Sequence, residues 1–112
     1  MNGGGSKDYI ISVGEKNSLN AGSGDDYIEN AGSFNTINAD EGNDYIENSG
    51  DSNLINGGAG NDLIFVGFGS DNTVFGGANN DIIFGESSND SLSGSKGNDT
   101  LSSGTGNDKL LG

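Results

Sequence analysis

A step of nine residues runs through almost the whole chain, and few folds can obey it. From Asp8 the step lands on Asn17, Asp26, Asn35, Asp44, Asn53 and Asp62. One extra residue intervenes, and the series resumes at Asn72, Asp81, Asp90, Asp99 and Asp108. Two residues after each of these stands an aliphatic: Ile10, Leu19, Ile28, Ile37, Ile46, Ile55, Ile64, Val74, Ile83, Leu92, Leu101 and Leu110. Nine is not a helical period, and glycine-rich turns at this spacing leave no room for helices of useful length. Each frame instead holds one turn and one strand of about three residues, whose single inward side chain is the aliphatic. Two frames make one flattened coil, and stacked coils with parallel strands bring the aliphatics together between two sheets. The expectation is an all-β fold, a right-handed parallel β-roll or β-solenoid of about six 18-residue coils made of twelve nonapeptide frames. At ~4.8 Å per strand it would be roughly 29 Å long. It forms a single domain over residues 1–112, with repeats from about residue 3 to the end and no obvious caps.

Such a roll cannot rest on its core alone. Only 29% of the residues are hydrophobic, and 17 acidic side chains against four lysines leave a formal charge of −13. Polarity and charge of this order, uncompensated, favour disorder. Bound cations are the simplest offset. The same charge repels nucleic acid and anionic membranes, so neither is an expected partner. No apolar run reaches ten residues, so membrane insertion through a helix is not expected. The first residues, "MNGGGSKDY", lack the charged and apolar regions of a secretion signal. A leader already removed, another export route and no export all stay open.

The stretch "GGAGNDLIF", residues 57–65, carries a resemblance. It matches the repeats-in-toxin (RTX) nonapeptide G-G-x-G-x-D-x-U-x at every specified position, and that repeat is known as a calcium-binding parallel β-helix unit. "GSKGNDTLS" and "SGTGNDKLL" each miss one glycine, and "GGANNDIIF" has Asn79 in place of the third. The resemblance implies a calcium β-roll, with Asp side chains and turn carbonyls of stacked turns sharing each Ca2+ ion. The residues it assigns to metal are Asp8, Asp26, Asp44, Asp62, Asp81 and Asp99, then Asp90 and Asp108, with turn glycines Gly22, Gly24, Gly42, Gly58, Gly60, Gly77, Gly97 and Gly106. Several ions are expected, mainly along the Asp8–Asp99 edge.

The two edges of the roll differ. Odd frames carry Asp throughout, whereas even frames carry Asn17, Asn35, Asn53 and Asn72 before changing to Asp90 and Asp108. Most Asp turns place glycine two residues before the Asp; the Asn turns place it three before, at Gly14, Gly32, Gly50 and Gly69. A shifted glycine implies a different backbone path, because glycine marks where φ is positive. The Asn turns therefore read as a separate turn type, with the asparagines either stacked in a ladder or capping their own turns.

Outward positions form rows as well. Tyr9, Tyr27 and Tyr45 recur every 18 residues, and Leu63 and Ile82 continue the row; beside it run Ile11, Glu29, Glu47, Phe65 and Phe84. Leu63, Phe65, Ile82 and Phe84 thus make an apolar patch, suited either to a lateral contact or to stacking within the sheet. The acidic pairs Asp25-Asp26 and Asp40-Glu41 suggest no catalyst, because neighbouring side chains point apart and no His, Cys or Arg is present to complete a site. Thr36, Thr73 and Thr100 form no regular ice-binding array. No enzymatic activity is expected. The function expected is a calcium-binding structural roll that folds on Ca2+, is extracellular, and stacks head-to-tail with copies of itself into a filament. The alternative is an RTX module belonging to a larger secreted toxin, enzyme or adhesin.

Overall fold

The computed structural model describes all 112 residues and contains no helix. Thirteen strands follow one another: β1 (Asn2–Gly4), β2 (Tyr9–Val13), β3 (Ser18–Ser23), β4 (Tyr27–Ala31), β5 (Thr36–Glu41), β6 (Tyr45–Ser49), β7 (Leu54–Ala59), β8 (Leu63–Val66), β9 (Thr73–Ala78), β10 (Ile82–Gly85), β11 (Ser91–Lys96), β12 (Thr100–Ser102) and β13 (Lys109–Leu111). The odd strands form one seven-stranded sheet and the even strands a six-stranded one, each in simple stacking order. Every pairing is parallel, and the register joins residues 18 apart, as in Ile10↔Ile28 and Ile28↔Ile46. The chain is a β-solenoid of about six coils, with overall extents of 37 × 32 × 14 Å.

The core is a narrow set of stacked columns between the sheets. Leu19, Ile28, Ile37, Ile46, Ile55, Ile64, Val74, Ile83 and Leu92 are fully buried, and Ile10 nearly so. Each such side chain contributes ~1.5–3 kcal/mol by burial, and each touches its counterparts one coil above and below.

The strands are longer than the nonapeptide pattern suggests. Most run four to six residues rather than three, and the burial alternates twice along each of them, as in β4 and β6. A second inward position follows the aliphatic by two residues. It holds Ser12, Ala21, Asn30, Ala39, Asn48 and Val66, all buried. These are mostly small or polar side chains, so their alternation carries no hydrophobic signal in the sequence.

The extra residue is Phe68. The register is 18 at Asn48↔Val66 and becomes 19 at Leu54↔Thr73. Gly69 sits over the Gly50 carbonyl as Gly50 sits over that of Gly32, so the insertion precedes Gly69. The stack absorbs it as a bulge that leaves Phe68 86% exposed, and pairing then resumes.

Candidate metal centre

From the Asp26 turn onward, the turns along the Asp8–Asp99 edge share one backbone path. Positive φ occurs four and two residues before the Asp: Gly22 and Gly24, Asp40 and Gly42, Gly58 and Gly60, Gly77 and Asn79, Ser95 and Gly97. Glycine is required where turns stack most closely. A Cβ on Gly42 or Gly60 would collide with the carbonyl oxygen of Gly24 or Gly42 in the preceding coil. All eight glycines assigned to metal turns from sequence, Gly106 included, adopt positive φ.

This path stacks the aspartates into a ladder. The backbone N–H of Asp8 donates to Asp26 Oδ1 at 2.7 Å, Asp26 to Asp44 at 2.8 Å, Asp44 to Asp62 and Asp62 to Asp81 at 2.9 Å, and Asp81 to Asp99 at 2.8 Å. A second ladder runs the opposite way through the residue just before each Asp. The N–H groups of Asn43, Asn61, Asn80 and Asn98 donate back to the side-chain oxygens of Asp25, Asn43, Asn61 and Asn80. The recurrent Asn-Asp pair is thus two antiparallel hydrogen-bond chains that hold successive coils together.

One oxygen of each aspartate is left over. Oδ2 of Asp8, Asp26, Asp44, Asp62, Asp81 and Asp99 is buried and accepts no hydrogen bond. Turn carbonyls approach the same places. A Cβ on Gly3 would lie 2.5 Å from both Asp8 Oδ2 and the carbonyl oxygen of Ala21, one coil further on. Gly57 likewise faces Asp62 Oδ2 and the Gly76 carbonyl. The electrostatics register the strain. Burial pushes the Asp62 carboxyl up to about 7, with Asp44 and Asp81 adding repulsion and the ladder N–H opposing it. Burial pushes Asp44 up to about 6 and raises Asp81 as well. Oriented, buried oxygens of carboxylates and carbonyls are the donor set of a hard divalent cation, which takes six to eight of them. No three acidic side chains converge on one point, so an ion here must complete its shell from turn carbonyls and water.

The opposite edge solves the same problem without charge. The Oδ1 ladder continues, with Asn17, Asn35 and Asn53 donating from their backbone N–H to Asn35, Asn53 and Asn72 at 2.7–2.9 Å. Where aspartate has a bare Oδ2, Asn35 and Asn53 have an NH₂ group with acceptors, whereas Asn72 Nδ2, next to Asp90, is buried without one. Asn35 Nδ2 donates to the Gly14 carbonyl at 2.9 Å and to Asn30 Oδ1 at 3.0 Å; Asn53 Nδ2 donates to the Gly32 carbonyl at 2.9 Å. The backbone path does differ, with positive φ just before the Asn at Lys16, Phe34, Ser52 and Asp71; of the shifted glycines Gly14 and Gly50 have positive φ, whereas Gly32 and Gly69 do not and are needed instead for close approach to the carbonyls of Gly14 and Gly50. The asparagines form a ladder, but through the backbone N–H of the neighbouring coil rather than through amide stacking or capping of their own turns. A true side-chain link lies further in, where Asn30 Nδ2 donates to Asn48 Oδ1 at 2.8 Å. Asn30 and Asn48 escaped the sequence reading, although the repeated "YIEN" at 27–30 and 45–48 is their signal.

Towards the C-terminal coils this edge takes the Asp-type path. Ser88, Gly104 and Gly106 have positive φ, and Asp90 donates from its N–H to Asp108 Oδ1 at 2.9 Å. Asp90 Oδ2 is buried without a partner, and burial raises its pKa while the Asn72 N–H opposes the shift. Asp90 and Asp108 therefore form a second, short row.

Outside the edges, Tyr9, Tyr27 and Tyr45 stack with ring centroids 4.6 and 4.9 Å apart, and Phe65 stacks on Phe84 at 5.2 Å. Leu63, Phe65 and Phe84 are half-buried in this way, and Ile82 is 41% exposed.

No curated protein matches the chain significantly. The family model for the RTX calcium-binding nonapeptide repeat matches in four copies, over residues 2–32, 31–55, 40–73 and 75–110. With its nonapeptide coils, its stacked positive-φ turns and its rows of buried aspartate oxygens, the chain belongs to the RTX calcium-binding nonapeptide repeat family.

Proposed function

We propose that the protein is a structural module whose fold is completed by calcium along the Asp8–Asp99 row, with a further site between Asp90 and Asp108. The observation that carries this reading is the line of buried Oδ2 atoms without a hydrogen-bond donor. Six aspartates enclose five gaps, and five divalent ions would carry +10 against a formal −13. Calcium would supply the positive charge that these oxygens lack. The ladder N–H groups fix each carboxylate so that one oxygen faces the gap, and the glycine turns bring carbonyls beside it. An extracellular setting suits the reading, because calcium modules there work at the ~0.1–1 mM concentrations that loosely built sites need. The role is structural rather than catalytic.

The test is circular dichroism with calorimetry. In chelator the chain should lose its β signal, and calcium should restore it with five to six ions bound, one per gap. A full β spectrum in excess chelator, with no calcium uptake on titration, would refute the proposal.

End-to-end stacking is a further part of it, favoured by the ends of the ladders. Within the roll the Asp99 N–H and Asp8 Oδ1 are the ladder donor and acceptor that pair with no other rung. The two are complementary, as are Asp108 N–H and Asn17 Oδ1. Leu101 of one copy would cover Ile10 of the next; on the other sheet β1 already pairs with β3 and covers Leu19, so β13 of the preceding copy could join only by displacing β1. A head-to-tail contact that does not close grows into a fibre. Sedimentation in calcium distinguishes the outcomes: growing polymers support stacking, whereas a monomer at high concentration supports the module of a larger protein.

A further inference from the structure

The asparagine edge changes its chemistry where the period breaks. Before Phe68 its rungs are closed without charge. Asn35 and Asn53 donate from Nδ2 to the Gly14 and Gly32 carbonyls, and Asn17 Nδ2 donates to Ser12 Oγ at 3.4 Å. Inside that edge, Asn30 Oδ1 accepts from Asn35 Nδ2, and Asn30 Nδ2 donates to Asn48 Oδ1. In the next coil Val66 occupies the column of Asn30 and Asn48. Its side chain offers no acceptor, and Asn72 Nδ2 is buried without one. Beyond Asn72 both edges carry bare carboxylate oxygens, at Asp81 and Asp99 on one side and at Asp90 on the other. The same stretch holds the change of register from 18 to 19 and the exposed Phe68.

We propose that this stretch divides the roll into two calcium-responsive units, and that the coils from Asn72 onward order only at higher calcium than the coils up to Val66. This gradation rests on the calcium reading above. Each coil of a solenoid touches only its neighbours, so stability is a sum of local terms and parts of the stack can open separately. Without metal, a coil before Val66 has an unpaired buried oxygen on one edge and keeps a closed, hydrogen-bonded edge opposite. Beyond Asn72 such oxygens stand on both edges. A buried polar group left without a partner costs more than an ordinary hydrogen bond returns, and Asn72 Nδ2 adds one more at the boundary. Backbone ladders still cross the boundary, from Asn53 to Asn72 and from Asp62 to Asp81, both at 2.9 Å. The first unit therefore offers a template on which the second closes when ions arrive. β12 and β13 belong to the second unit, so the end of the roll that stacking would use forms only above the higher threshold.

The experiment is hydrogen exchange read by mass spectrometry across a calcium titration from chelator to saturation. β9 to β12 should gain protection at a calcium concentration at least about threefold above that for β4 to β7. One further unpaired buried group weakens folding about tenfold, and sharing that factor between two ions moves the midpoint by about its square root. The step should fall between β8 and β9. Asp90→Asn keeps the Oδ1 acceptor for the Asn72 N–H, now at 2.9 Å, and removes the buried charge. It should lower the midpoint of β9 to β12 and leave that of β4 to β7 unchanged. If Asp90→Asn does not fold, the profile of the unmodified protein carries the test. One midpoint for all strands, protection lost equally from β2 and β12 inward, or a raised midpoint in the folded variant would overturn the two units while leaving calcium-driven folding intact. Exchange that ignores calcium in every strand would overturn the calcium reading as well.

Discussion

Replacing Asp62 by asparagine should change stability in opposite directions with and without calcium. The new side chain would keep the Oδ1 acceptor for the Asp44 N–H, now at 2.9 Å, and exchange the buried Oδ2 for an NH₂ group. Asp62 is 2% exposed and its carboxyl is pushed up to about 7 from 3.8. At pH 8 without metal, holding it ionised in the folded roll costs on the order of 4 kcal/mol relative to the unfolded chain, at ~1.4 kcal/mol per unit. Asparagine removes that cost, and its unpartnered NH₂ returns ~1–3 kcal/mol of it. The metal-free roll should therefore gain about 1–3 kcal/mol. With calcium the sign reverses, because Asp62 borders the gaps towards both Asp44 and Asp81. If each gap forfeits an ion held at a hundredfold excess over its Kd, the loss is ~2.7 kcal/mol per ion and about 5 kcal/mol for two. Urea melts followed by circular dichroism in chelator and in calcium measure both numbers, with TMAO added to the chelated samples to favour the compact state. A shift of the same sign in both media would refute the electrostatic reasoning.

The metal-free roll should become more stable as pH falls. Asp44 and Asp62 titrate near 6 and 7 in the folded state, and Asp81 and Asp90 are also raised. The folded state then binds more protons than the unfolded one between about pH 4 and 7, so this stability is present in full below ~4 and lost as pH rises through 6 to 7. Calcium affinity should run the other way, weakening below pH 7, and a pH series of β signal in chelator and of calcium titrations reads both trends. Asn53→Asp retains the Oδ1 ladder but replaces the Nδ2 donor to the Gly32 carbonyl by a buried charge; a loss of ~3–5 kcal/mol in calcium melts is expected. Gain of an ion and of stability there would mean that the two edges are equivalent. Ile46→Ala should cost ~2–5 kcal/mol in the same melts, since Ile46 is fully buried between Ile28 and Ile64 in a thin core.

The nine-residue step by itself determined the architecture. An aliphatic two residues after each Asp or Asn cannot be buried by any helix, and pairs of frames leave parallel stacking as the way to cover every one of them. The glycine offset separated the two edges, but at Gly32 and Gly69 the glycine answers to the carbonyl of the preceding coil rather than to positive φ, which falls on Phe34 and Asp71 instead. Other features exist only once coils are stacked. The second inward position, with Asn30 and Asn48, stayed hidden because small and polar residues there look like turn residues. The Asn-Asp pair reads as a motif in sequence, but its two ladders run in opposite directions only because each N–H meets the neighbouring coil. The bare Oδ2 atoms are likewise a property of the stack. A carboxylate in one nonapeptide is solvated, and it loses its water and its second hydrogen bond when turns above and below close over it. Tertiary structure decided which polar atoms are left without partners, because that depends on contacts 18 or 19 residues away.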